Sequence, residues 1–402
     1  MIPYKKLKAR IERDKAKKVK RRQNYAQKYD CLEKVFTPRH YIRGVKKCRK
    51  NVSFKLSVQK YTARPFGRID KDCASMLMGI SPPIASSKKE VIHERGHERI
   101  ITPIKMQDRV NQRVLCDYAL TPMITRSLIY DNGASLKDKG VSFARARFNG
   151  MLERAKRWWG DDFYVLSFDI ERFFDNIPHY LCYEELNKIF SDKRLVDITM
   201  QIVEGYQMLD AKAAQDNEKI QLLKRHEGVG ICLGSHVSQL MALCVPNFLD
   251  HYIKDSEGIK LYERYMDDGV IIHNDKTYLK NLLDRLIVLC KSHGLNLKVK
   301  KTHITHIRKG ITFLKIKYSV RDGKTVKRLP GSSSLRMRRK LKKFAGLVKR
   351  GKMNLDDVYT SLQSWLGHTR IASAYRKRKQ ILALYNTLFG SYRMKKWRCL
   401  AT

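Results

Sequence analysis

Two adjacent carboxylates, Asp267 and Asp268, stand between apolar runs in Leu261-Tyr-Glu-Arg-Tyr-Met-Asp-Asp-Gly-Val-Ile-Ile272. The run Val270-Ile271-Ile272 is β-branched and short, which reads as a strand rather than a helix. Asp and Gly between two such runs predict a tight hairpin turn with both acids at its tip. Carboxylates this close repel each other, and a divalent cation between them and a substrate relieves the repulsion. A third acid stands upstream in Phe163-Tyr-Val-Leu-Ser-Phe-Asp-Ile-Glu-Arg-Phe-Phe-Asp-Asn-Ile-Pro178. Tyr164 to Phe168 reads as a buried strand with Asp169 at its end. A carboxylate there is costly unless it opens on a cleft or binds a cation. Asp169 precedes Asp267 by 98 residues, which leaves room for helices between the two strands. A bare Asp-Asp-Gly is also what a solvated turn looks like, so the reading depends on the rest of the chain.

The elements that must hold these acids come from a chain of 402 residues, enough for a substantial core and two or three subdomains. Its hydrophobic content of 43% is ordinary for a globular protein, and no apolar run is long enough to cross a bilayer. The start, Met1-Ile-Pro-Tyr-Lys-Lys, lacks the apolar stretch of a signal peptide, so a cytoplasmic location is expected. Lysine and arginine number 83 against 39 acids, a formal charge of +44. A polyanionic partner would relieve that self-repulsion, nucleic acid first and anionic membrane second. No amphipathic lipid-binding helix stands out, and membrane is not expected as a partner. Nine scattered cysteines without a Cys-x-x-Cys pair suit reduced, buried thiols rather than disulfides or a zinc site.

In chain order, residues 1–22 carry eleven Lys or Arg and read as a basic helix or arm, either solvated or ordered on RNA. In Arg99-Ile-Ile-Thr-Pro-Ile-Lys-Met-Gln-Asp-Arg-Val-Asn-Gln112, a short strand with Arg99 leads into Pro103, and a helix begins near Asp108. Val110, Val114, Leu115 and Tyr118 continue that helix as an apolar stripe. A helical, charged region from Tyr180 to Arg225 precedes Gly228-Val-Gly-Ile-Cys-Leu-Gly-Ser-His-Val-Ser-Gln-Leu-Met-Ala242. Its glycines allow close backbone approach to a ligand, and Ser235 or Ser238 caps the next helix. A helix is expected over Tyr278–His293, then Gly294-Leu-Asn-Leu-Lys-Val-Lys-Lys-Thr302. Ile311 to Tyr318 alternates as one strand, and Asp322-Gly323 marks a hairpin turn. From Leu335 the period is helical: Leu341, Phe344 and Val348 mark one helix, and Leu355, Val358, Leu362, Trp365 and Leu366 a second that Gly367 ends. Ile381, Leu384, Tyr385 and Leu388 mark a third. Their opposite faces are crowded with Lys and Arg, as a grip on duplex phosphates requires.

Tyr265-Met266-Asp267-Asp268 resembles the Tyr-x-Asp-Asp signature of reverse transcriptases. The segment around Asp169 resembles motif A of polymerase palms, and the Arg99–Gln112 segment resembles the fingers of group II intron-like members. Where most members carry Gln-Gly-x-x-x-Ser-Pro, this chain has Leu233-Gly234-Ser235-His236-Val237-Ser238-Gln239. That form is similar to prokaryotic reverse transcriptases of diversity-generating retroelements, and more loosely to defence-associated ones. Lys301-Thr302 resembles motif D, Phe313-Leu314 the primer-grip strand pair, and Ser364-Trp-Leu-Gly-His-Thr369 the thumb of this group.

The resemblance covers residues 60 to 390 and implies an α+β right-hand polymerase fold. Its parts would be a basic N-terminal arm (1–50), fingers (51–155), a palm (156–320) with a helical fingers insertion (about 180–227), and a helical thumb (321–402). It implies RNA-directed DNA synthesis by two-metal nucleotidyl transfer, with Asp169, Asp267 and Asp268 holding two Mg2+ ions. Ile170 would help hold metal and triphosphate through its backbone, and Arg99 would reach the incoming nucleotide's phosphates. Phe174, or Phe173 one register earlier, would be the steric gate against a 2′-hydroxyl. Leu233, Gly234 and Gln239 would line the nucleotide site. Tyr265, Met266, Lys301, Phe313 and Leu314 would contact primer and template, although Lys301 also suits a plain surface lysine. Leu233 in place of glutamine implies low fidelity, and the subgroup implies a template RNA, a cDNA or primer, dNTPs and a small basic accessory protein as partners. A metal-dependent nuclease would use the same acids without needing gate, glycine loop or thumb. A non-catalytic RNA-binding protein would explain the charge but not the acids.

Overall fold

The computed structural model describes residues 23–82, 90–94, 97–215 and 228–390, together with positions 13, 17 and 20. Most of the basic stretch 1–22, the end of the charged helical region and residues 391–402 lie outside the described residues. The chain forms two compact units, one from residues 1–144, 168–269 and 281–302, the other from 145–167, 270–280 and 303–402. Strands β1 (Glu90–Glu94) and β2 (His97–Ile101) pair as a ribbon. Strands β3 (Tyr164–Asp169), β4 (Tyr262–Tyr265), β5 (Asp268–His273) and β6 (His303–His306) make a four-stranded sheet in the order β4-β5-β3-β6. Strands β7 (Ile311–Phe313), β8 (Ile316–Arg321) and β9 (Lys324–Arg328) make an antiparallel meander.

In the first unit, Thr37 caps the helix Pro38–Arg49, its hydroxyl accepting from the His40 N–H, with Pro38 where a missing N–H is harmless. That helix turns Tyr41, Val45 and Cys48 inward. Its His40 ring stacks on Tyr118 at 3.5 Å, and its Lys47 pairs with Asp117 at 2.7 Å. Residues 32–49, grouped by composition with the basic arm, therefore supply core through Leu32, Val35, Phe36 and Tyr41. The helix Met106–Leu115 has Asp108 in its first turn, as expected, and runs into one π-helical turn at Cys116–Leu120. The helix His236–Cys244 is buried along almost its whole length, and Ser235 is its cap, accepting from the Ser238 N–H at 3.2 Å.

The hairpin that carries the paired acids differs from the expected one. Its turn lies at Met266–Asp267, Met266 adopts a left-handed φ of 56°, and Asp268 already opens β5. Gly269 is a strand residue. A Cβ built on it would lie 2.1 Å from Cζ of Phe168, so the glycine exists to admit that ring rather than to make the turn.

In the second unit, the expected single strand over 311–318 is two strands broken at Leu314 and Lys315, both left-handed (φ 45° and 69°). Two N–H groups of the Arg145 guanidinium donate to the Leu314 carbonyl and hold this turn. The Phe313 ring is buried against Phe148. Asp322 and Gly323 make the β8–β9 turn as expected. The helices Gly331–Lys349, Leu355–Thr369 and Tyr375–Phe389 share a core of Met337, Leu341, Val358, Leu362, Leu366, Ile381 and Tyr385. The middle helix passes through Gly367 instead of ending there, because Leu366 and Thr369 are both buried one turn apart. Arg336, Arg338, Arg339, Lys340, Lys342 and Lys343 are exposed on the first of the three. Among the described residues the cysteines are unbridged and all but Cys31 are buried, and no helix is long and apolar enough to cross a membrane.

The Gly269–Phe168 contact is testable by denaturant unfolding. Gly269→Ala is expected to destabilise the protein by about 1–3 kcal/mol, since the added methyl overpacks a ring in the core. Phe168→Leu in the same background should return part of that loss. A neutral Gly269→Ala would show that the ring moves aside freely.

Candidate active site

Asp169, Asp267 and Asp268 converge so that one carboxylate oxygen from each lies within 4.8 Å of the others. All three belong to the first unit. Asp169 ends β3 and is only 4% exposed. Its carbonyl accepts from the Lys298 N–H at 2.7 Å, and the next residue, Ile170, donates its N–H to the Asp267 carbonyl at 3.2 Å. Main-chain bonds thus fix the strand end to the hairpin turn, and what Ile170 offers a ligand is its carbonyl oxygen. Burial, then the charge of Asp169, raises the Asp267 carboxyl above its ordinary value. Burial, followed by the charges of Asp267 and Asp169, pushes Asp268 up to about 7. Lys301 Nζ lies 3.0 and 2.9 Å from the two oxygens of Asp169. Burial draws Lys301 down, but the Asp169 hydrogen bond and the three carboxylate charges outweigh it and raise the amine. Lys301 is thus an exposed lysine whose amine reaches the carboxylate cluster through Asp169.

Below the turn lies a buried polar network whose role the sequence reading did not reach. Arg264 is fully buried and donates through Nε and Nη2 to Asp250 at 2.8 and 2.7 Å. The same Nη2 reaches the Leu243 carbonyl at 2.9 Å, and Nη1 reaches the Met266 carbonyl at 3.0 Å. Tyr262, two residues back on the same face of β4, donates its hydroxyl to Asp250 at 2.7 Å. The guanidinium therefore ties the left-handed Met266 to the helices Asn247–His251 and His236–Cys244. Removing one partner of such a buried pair costs about 3–5 kcal/mol. The available signal was Glu263-Arg264 in the short strand leading to the acids, charges that demand partners without naming them.

The other expected residues are placed as follows. Phe173 is in the core, whereas Phe174 is partly exposed, its carbonyl accepting from the Ile231 N–H at 2.8 Å. The chain after Asp169 bends through Arg172, left-handed at φ 42°. The glycine-rich stretch lies along 174–179 through Gly230 N–H to Ile177 and His179 N–H to Gly228, each 2.8 Å. Leu233 is half-buried, with its carbonyl accepting from the Thr102 N–H at 3.3 Å. Gly234 and Gln239 are exposed. Tyr265 ends β4 and Met266 sits in the turn, both partly exposed. The backbone of Arg99 lies in β2, opposite Ile92, and its side chain lies outside the described residues. Phe313 and Leu314 belong to the second unit and are not part of the carboxylate cluster.

Comparison with known proteins adds the following. The family model for reverse transcriptase (RNA-dependent DNA polymerase) matches residues 87–318. The putative COX1/OXI3 intron 1 protein of Saccharomyces cerevisiae is 26% identical over 160 residues, which is 40% of this chain and 16% of that protein. Apo telomerase from Candida tropicalis, truncated from its C-terminal domain, superposes with a TM-score of 0.44 at 14% identity, covering 62% of this chain and 56% of that one. Telomerase from Candida albicans, in complex with a TWJ fragment of telomeric RNA, gives 0.42 at 11% identity, covering 77% and 57%. The chain thus spans only a small part of the yeast protein's length and little more than half of each telomerase chain.

The electrostatics of the cluster make a pH-dependent prediction. Asp268 holds its proton more tightly in the fold, at about 7, than at its ordinary 3.8. Its charge therefore opposes folding above pH 7, and that penalty fades as pH falls through 7 towards 4. In chelator, Asp268→Asn should be more stable than the parent at pH 8 by about 1–4 kcal/mol, with the advantage gone near pH 4. Denaturant titrations at pH 8, 6 and 4 check this, and an advantage independent of pH would contradict it.

Proposed function

This chain belongs to the reverse transcriptase family, and from that membership we propose that it extends a DNA primer on an RNA template by nucleotidyl transfer. The observation that carries the proposal is the cluster of Asp169, Asp267 and Asp268 at two strand ends inside the matched residues. Three hard oxygen donors fit magnesium, and the raised carboxyls of Asp267 and Asp268 mark a charge excess that a cation would relieve. Two magnesium ions bound there would acidify the primer 3′-hydroxyl and stabilise charge on departing pyrophosphate.

The chain's own residues do the rest. Lys301 steadies the Asp169 carboxylate and brings a cation to the place where phosphate charge collects. Phe174 is the steric gate, which its partial exposure beside the buried Phe173 supports, and it favours deoxynucleotides. Arg99 serves the triphosphate, the Ile170 carbonyl serves the metals, and Gly234 and Gln239 line the nucleotide pocket. Tyr265 and Met266 contact the primer–template at the hairpin turn. Residues 51–155 act as fingers, 156–320 as palm and 321–402 as thumb, with Phe313-Leu314 as primer grip. The exposed Lys and Arg of the Gly331–Lys349 helix hold duplex phosphates, an attraction that weakens with salt.

We further place the chain in a diversity-generating retroelement, in the cytoplasm, with a template RNA and a small basic accessory protein. Leu233 before Gly234 supports this, since an apolar residue beside the nascent pair lowers base discrimination. A defence-associated enzyme is the second reading, supported by the same Leu233-Gly234 form.

Asp267→Asn should abolish primer extension with magnesium present while leaving the melting temperature no lower than the parent's and RNA binding close to the parent's. Full extension by that variant would sink the assignment. On a defined RNA template with the accessory protein, sequencing should show errors concentrated at template adenines, and Leu233→Gln should reduce them by up to about tenfold, the effect of roughly 1.4 kcal/mol. Adenines copied as accurately as other bases would favour the defence reading. An error rate unmoved by Leu233→Gln would remove this residue's role.

A further inference from the structure

Leu233 does not stand on its own backbone alone. Its carbonyl accepts from the Thr102 N–H at 3.3 Å, at the end of β2. The following Gly234 is left-handed at φ 115°, and a Cβ there would sit 3.0 Å from the Thr102 carbonyl and 3.5 Å from the Ile101 side chain. One end of the segment 233–236 is thus pressed against 101–102 at a distance that only glycine allows.

The other end is held by a side chain from a different element. Gln112, on the helix Met106–Leu115, is 2% exposed. Its Oε1 accepts from the Ser235 hydroxyl at 3.0 Å and from the His236 N–H at 3.1 Å. The Ser235 oxygen in turn accepts from the Ser238 N–H at 3.2 Å. His236 is the first residue of the helix His236–Cys244, so its N–H has no partner within that helix. One amide oxygen therefore satisfies an orphan donor of the helix and sets the rotor of its capping serine. Both ends of the segment that carries Leu233 are fixed by residues 101–112, and all of these residues lie within the first unit.

We propose that Gln112 is a positioning residue for base selection: by anchoring Ser235 and His236 it sets where the Leu233 side chain meets the nascent base pair. The inference rests on the polymerase reading and on Leu233 facing that pair. An apolar side chain discriminates by shape alone, so its position matters more than that of a side chain with directional hydrogen bonds. Gln112→Leu leaves the buried Ser235 hydroxyl and the partly buried His236 N–H without an acceptor and frees the segment at one end. Gln112→Glu keeps an acceptor at the same reach, and the helix N-terminus tolerates its charge.

Single-nucleotide insertion on a defined RNA template tests this, read as the ratio of kcat/KM for incorrect to correct dNTP. Gln112→Leu is expected to change that ratio by about tenfold towards error, the low end of what a shape contact in an apolar pocket supplies. Gln112→Glu is expected to stay within about twofold of the parent. A merely structural role would lower insertion of all nucleotides together and leave the ratio unchanged, which would overturn the proposal. Should Gln112→Leu fail to fold, Ser235→Ala removes one donor from the same anchor. It should shift the ratio in the same direction, and an unchanged ratio there would equally overturn it. If the unaltered protein extends no primer, the polymerase reading fails and takes this inference with it. If it extends with a ratio indifferent to these substitutions, this inference fails alone.

Discussion

Three carboxylates with oxygens within 4.8 Å of one another will not stay together unless the surrounding structure compels them. At an effective dielectric constant near 20, each like-charged pair at about 4 Å repels by roughly 4 kcal/mol. Much of the first unit can be read as the apparatus that resists this. The Asp169 carbonyl is held by Lys298, the Asp267 carbonyl by Ile170, and the Met266 carbonyl by Arg264, so the chain on either side of the acids cannot rotate them apart. Lys301 is the one cation seen on an acid of the cluster among the described residues, and it sits on Asp169, the most buried of the three. Asp267 and Asp268 keep raised carboxyls, which is the electrostatic condition for drawing in a cation from solution.

How far this was legible in the sequence depended on how locally each feature is encoded. The acids stood out because each borders a short apolar strand, and a charge at the end of such a strand is costly unless used. The helix Met106–Leu115 and the Asp322-Gly323 turn were legible for the same reason, since caps and turns are written in adjacent residues. Gly269 was misread as a turn residue because glycine has two uses, and the Phe168 ring that explains it lies about a hundred positions earlier in the chain. Gly367 was misread as a helix end because Leu366 and Thr369 gain more by burial than the glycine loses in propensity. The strand over 311–318 hid its break, since Leu314 and Lys315 carry no mark of a left-handed turn and are held there by Arg145 from a distant helix.

Charge illustrates the same limit from the other side. With 83 lysines and arginines, composition speaks clearly for a polyanionic partner and says nothing about any one residue. Lys301 and Arg264 emerge from that background only through their partners, Asp169 and Asp250. The first is an exposed amine borrowed by an acid cluster, the second a buried guanidinium that never meets solvent. Equal formal charges thus serve opposite purposes, one at the site and one beneath it.

The unit that contains the carboxylates is discontinuous, built from residues 1–144, 168–269 and 281–302. During synthesis Asp169 leaves the ribosome 132 residues ahead of the Lys301 that will neutralise it. At 5–20 residues per second that interval is roughly 7–26 s. For that time the nascent chain holds an apolar β3 whose edge partner β6 has not yet been made. Such an unpaired edge invites association with neighbouring chains. The order of translation therefore sets a window of vulnerability before the finished fold can protect that edge.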